Sequence, residues 1–103
     1  MAKRRNAIRY GGNIPVMYFK EGEMFVWYSP VLDLSTCGAT FEEAQKNFRE
    51  ALQIFFQECI KQGTLEKALE SYGWQKSGSG RPTWQPPLLV GSDSIPVPIP
   101  ARN

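Results

Sequence analysis

One long helix is written between Thr40 and Gly63, and it limits the fold more than any other feature of the chain. Thr40-Phe41-Glu42-Glu43 is a capping box: the Thr40 hydroxyl accepts from the Glu43 amide, and the Glu43 carboxylate reaches back to the Thr40 amide. Glu42 and Glu43 also sit at the positive end of the helix dipole. Apolar residues then recur at Phe41, Ala44, Phe48, Ala51, Leu52, Phe55, Cys59 and Ile60, the period of a single buried face. Glu42, Lys46 and Glu50 follow the wet side at i, i+4 spacing. Gly63 stops the helix. Burial of Phe48, Leu52 and Phe55 contributes about 1.5–3 kcal/mol each, but one stripe needs a surface to lie on. The chain has 103 residues and no second long helix, so that surface must be a sheet.

The sheet is written upstream of the helix. Ile14 to Phe19 is apolar and aromatic and reads as a first strand; Glu21-Gly22-Glu23 is a turn signal. Met24 to Tyr28, "MFVWY", is rich in β-formers and too short for a helix. In the resulting hairpin Phe25 and Trp27 point to one face, Val26 and Tyr28 to the other. Pro30 bends or ends the strand. A short third strand through Leu34 to Cys37 fits before the helix, and Asp33 reads as a turn residue whose carboxylate caps backbone amides there.

Beyond Gly63, Thr64 caps a short second helix, Leu65 to Tyr72, ended by Gly73, and Trp74 is placed to tuck under the helix end. Residues 75–82, "QKSGSGRP", read as a flexible loop. The segment 93–100 carries prolines at 96, 98 and 100. Alternate residues of a strand send their amides to the same side, so all three missing donors fall on one edge. The other edge keeps the amides of Ile95, Val97 and Ile99, the signature of an edge strand that pairs once and is blunt beyond. The competing reading is an extended polyproline-like tail. The expected organisation is a basic arm over 1–12 and one domain over 13–103. Its class is α+β: a small β-β-β-α-β domain with one antiparallel or mixed sheet, the long helix on one face and a short second helix.

Charge matters through its distribution. Lys3, Arg4, Arg5 and Arg9 fall in the first twelve residues, and the remaining eight basic and ten acidic residues leave the body mildly acidic. The arm offers phosphate contacts, which with exposed aromatics makes nucleic-acid binding one reading; a solubilising start is the plainer one. That start lacks the apolar core of a secretory signal, and no run of about 18 apolar residues is available to span a membrane. Cys37 and Cys59 form no disulfide framework, and Cys59 falls on the helix stripe. A cytoplasmic location is the resulting expectation.

The chain contains no histidine, which excludes imidazole-dependent mechanisms and cysteine–histidine nucleophiles. Zinc-type ligand spacing and glycine-rich phosphate loops are absent from it. Carboxylate–metal chemistry needs several acids at one point. Asp33 is the single aspartate near a strand end, Glu42 and Glu50 face the wet side of the helix, and Asp93 lies in the tail. No catalytic residue, metal or cofactor is expected.

"YSPVLDLSTCGAT" followed at once by "FEEAQKNFREALQIFFQE" resembles the HicB family of antitoxins. The residues that carry the likeness are Pro30, Leu32, Asp33 and Leu34, then Thr40, Glu42, Glu43 and Ala44, and Glu50, Ala51 and Leu52; Leu34-Ser35-Thr36 stands where that family commonly has Leu-Pro-Gly. The match is best over residues 13–62. The resemblance implies a partial RNase H fold without its catalytic carboxylates, with the last strand beside the first. It implies a small RNA-cleaving, HicA-like toxin as partner. Many relatives add a C-terminal DNA-binding module; no helix-turn-helix is evident after Trp74, so DNA binding is not expected. From the residues themselves, a second strand that is apolar on both faces, with one long helix to cover it, leaves Val26 and Tyr28 either for a partner or for cover from within by the short second helix and the tail. On the partner reading, the occupant is a toxin or a second copy of the chain in a homo-oligomer.

Overall fold

The computed structural model describes residues 12–78 and 83–101. Its first unit is a three-stranded antiparallel sheet, β1 (Met17–Glu21), β2 (Met24–Ser29) and β3 (Leu34–Gly38), in spatial order β1-β2-β3. The long helix α1 (Phe41–Gln62) follows and lies on one face of it. A short helix α2 (Leu65–Ser71) and a small hairpin, β4 (Gln75–Ser77) with β5 (Thr83–Gln85), complete the regular structure. The class is α+β, as the patterning requires.

Both ends of α1 lie where its local chemistry puts them. The Glu43 amide donates to the Thr40 hydroxyl at 3.0 Å. The Glu43 carboxylate returns to the Ala39 amide at 2.6 Å, one residue earlier than the capping-box reading. Gly63 takes φ 70°, and the amides of Gly63 and Thr64 close on the Ile60 and Cys59 carbonyls. Two side chains fasten the helix to β3: the Thr36 hydroxyl donates to the Ala44 carbonyl (3.0 Å) and the Asn47 amide to the Cys37 carbonyl (2.9 Å). Between them Gly38 lets the two backbones meet. A Cβ there would stand 2.6 Å from the Ala44 nitrogen and 2.9 Å from Glu43.

The core has two centres. Trp27, Ala44 and Phe48 form the first, with Val16, Phe25, Phe41 and Leu52 against them. Trp27 packs on Phe41 and Phe48 at centroid distances of 5.3 and 5.9 Å, within the range of favourable aromatic pairs. Val31, Leu32, Leu69 and Trp74 form the second, flanked by Leu34, Leu52, Phe55, Phe56 and Trp84. Phe55 therefore packs over the β2–β3 turn rather than over Trp27. The Trp74 indole donates to the Val31 carbonyl at 2.8 Å, tying the end of α2 to that turn across 43 residues.

Several expectations need correction. The proline-rich segment 93–100 forms no strand, and its residues are exposed. Residues 75–77, read as part of a flexible loop, pair with 83–85 instead; Lys76 stands over the Trp84 ring and meets Glu66 at 2.7 Å. The β-β-β-α part of the expected order is present, whereas a fourth strand on the main sheet is not found among the described residues. The first strand begins at Met17 rather than Ile14. Thr64 makes no side-chain cap, because α2 opens from a turn whose φ of −111° and ψ of 9° leave the extended conformation of a capping residue. Ile60, counted on the helix stripe, is 64% exposed, since the stripe has drifted past the end of the sheet by the last turn.

Candidate interaction surface

Alternation along the three strands divides the sheet into two unlike faces. Trp27 is buried beneath α1, and its cross-strand neighbours Tyr18 and Thr36 share that side. Val26 and Tyr28 therefore point the other way. Register places Phe19 and Cys37 on either side of Val26, and Met17 and Ser35 on either side of Tyr28; Met24 stands at the end of the same face. The result is an apolar floor three strands wide. Phe19 is 49% and Met24 39% exposed, Cys37 is exposed, and Val26 and Tyr28 are half-buried by their neighbours in the sheet.

No described element lies over this floor. The helix α1 packs on the opposite face, mainly over β3, and reaches the margin of β1 where Phe41 meets Tyr18 (5.0 Å). The second helix belongs to the core centre at the β2–β3 turn. Pro87, Leu88 and Leu89 line a shallow depression with Pro15, Pro30 and Val31 at the sheet's end, and the chain beyond them is exposed.

The turn before β3 sets one corner of the floor. Asp33 adopts φ 49°, a left-handed conformation that aspartate tolerates better than most residues. Its carboxylate accepts from the Tyr28 hydroxyl at 3.2 Å rather than from backbone amides, a correction to the turn-capping reading. The fold explains the change: with Asp33 in the left-handed region, its side chain turns toward β2, where Tyr28 stands. Burial raises the Tyr28 phenol above its ordinary value, and the Asp33 hydrogen bond and negative charge push it the same way.

No family model, curated protein or solved structure matches this chain.

The residues singled out in the sequence are thus partly brought together. Val26 stands at the middle of the open face and Tyr28 with Asp33 at one end of it, whereas Thr40 and Glu43 serve the helix start behind it. Lys3, Arg4, Arg5 and Arg9 lie outside the described residues. Sequence reasoning missed Phe19, Met24 and Cys37 as members of the same surface; the alternation signal was present in each strand, but the register that joins the strands was not. Among the described residues no three His, Cys, Asp or Glu side chains gather as metal ligands. Among them too, no helix is long and apolar enough to cross a membrane.

Proposed function

We propose that this chain is a non-catalytic protein-binding module that docks a partner on the open face of its three-stranded sheet, and that the partner is a small RNA-cleaving toxin of the HicA type. The observation that carries the first half is the row Phe19–Val26–Cys37, apolar and without a covering element among the described residues. Solvated faces of antiparallel sheets are ordinarily polar; contiguous exposed apolar surface rimmed by polar groups marks a site of association. Here the rim is supplied by Glu21, Ser35 and Asp33. The second half rests on the resemblance of residues 13–62 to HicB antitoxins, whose partner has that chemistry. On this reading the module acts by covering the toxin, with Val26 and Phe19 as the apolar anchors and the Tyr28–Asp33 pair as a polar contact at the edge.

The test is to seek a small ribonuclease among the neighbouring reading frames and to measure inhibition of its RNA cleavage. Wild-type chain is expected to inhibit at stoichiometric amounts. Val26→Asp, verified as folded by circular dichroism, is expected to weaken inhibition at least tenfold, corresponding to about 1.4 kcal/mol. Absence of inhibition, or equal inhibition by the variant, refutes the reading.

A further inference from the structure

We propose that two copies of this chain exchange their C-terminal segments, with Ile95–Ile99 of each copy pairing as a fourth strand on the free edge of β1 in the other. The inference stands on the tail and the sheet edge and does not use the open face.

The sheet has two edges, and they are treated differently. On β3 the Asn47 amide takes the Cys37 carbonyl, and α1 leans over the strand. On β1 no described strand or side chain satisfies the outward backbone groups. Its first three residues, Met17-Tyr18-Phe19, are apolar, so the edge is not blunted by charge over that stretch. An unpaired edge of this kind is a template for another strand and a hazard to solubility unless something caps it.

The chain also contains a segment with the matching properties. Ile95, Val97 and Ile99 are 76%, 74% and 80% exposed, an unusual state for three apolar side chains spaced two apart. The alternating prolines remove amide donors from one edge of this segment and leave Ile95, Val97 and Ile99 able to donate on the other. It can pair once and cannot be paired again from outside. Residues 95–99 are as long as β1, which has five residues. One acceptor edge and one single-sided strand per copy suffice for a reciprocal pair, which closes when a two-fold axis relates the two copies.

The place of the tail favours a second copy. Pro86-Pro87 stiffens the exit from β5, and Pro87 to Leu89 lie beside Pro15, two residues before β1 begins. From there the segment leaves exposed and does not pair with its own β1. In the proposed pair each tail lies along β1 of the other copy.

The experiment is light-scattering mass of the full chain from micromolar to millimolar concentration, with backbone hydrogen exchange at residues 95–99. The wild-type mass is expected to double, with the Val97 amide protected in the dimer. Val97→Pro removes the central donor of the pairing edge at an exposed position and is expected to stay monomeric with an unchanged circular dichroism spectrum; Val97→Ala keeps the donor and retains the dimer. Pro98→Ala restores a donor on the blunt edge and is expected to dimerise and then grow further. A wild-type monomer at every concentration overturns the proposal, including one with a protected Val97 amide, which would mean pairing within one chain. A dimer that survives Val97→Pro but is lost in Val26→Asp also overturns it, and would assign self-association to the open face.

Discussion

The two faces of the β1–β3 sheet are built from the same kinds of residue and meet different fates. On one, Trp27 is closed in by Phe41, Phe48 and Leu52. On the other, Val26, one residue away, sits between Phe19 and Cys37 with no helix of the described residues above it. Apolar content alone therefore does not tell a core face from an open one. The difference is set by how many helices the chain can supply and where the first is fastened. Gly38, Thr36 and Asn47 hold α1 to β3 on one side, and α2 is spent on the β2–β3 turn.

If that account is right, substitutions on the two faces separate stability from binding. The largest loss is expected from Phe48→Ala, about 3–5 kcal/mol as for other large-to-small core changes, measured by urea unfolding. A cost below about 1 kcal/mol would mean that α1 is not seated over Trp27. Gly38→Ala comes next, at about 1–3 kcal/mol, because the added methyl meets the Ala44 and Glu43 backbone and α1 must shift. An unchanged denaturation midpoint would show that the close approach is not required. Thr40→Ala removes the helix cap and is expected to cost about 1 kcal/mol without any effect on partner affinity.

On the open face the expected effects on folding are smaller and depend on conditions. The raised Tyr28 phenol means that the folded chain keeps a proton which the unfolded chain releases near its ordinary value of 10.0. The stability this contributes is complete below that value and is lost as pH rises through the higher folded value. Tyr28→Phe should therefore lose less stability than wild type between neutral and alkaline pH, read as the difference in denaturation midpoints. Parallel losses in the two proteins would contradict the Tyr28–Asp33 contact.

How much of this could be read in advance follows from the range of each interaction. The ends of α1 were legible because a cap is made by residues three or four apart, and Thr40, Glu43 and Gly63 act locally. The division of β2 into two faces was legible because alternation is a property of the strand itself. The role of Gly38 was not, since it depends on a helix that packs back on the strand. The Trp74–Val31 hydrogen bond spans 43 residues, and no local pattern announces it. The β4–β5 hairpin has three residues per strand and mostly polar side chains, too short for any periodicity to register. The tail's single-sided donor pattern was visible as a strand signal, but pairing needs a neighbour, and among the described residues of one chain the segment has none.

Cys37 gives the most direct test of the central claim, because its thiol lies on the open face beside Val26. In a Cys59→Ala background it is the chain's one cysteine. The measurement is the rate of Cys37 alkylation in the folded chain relative to the urea-unfolded chain, alone and with the proposed ribonuclease partner added. An uncovered floor predicts a folded rate close to the unfolded one and strong protection on partner binding. A thiol already protected in the folded chain alone would mean that the face is covered from within, and the docking surface described here would not exist.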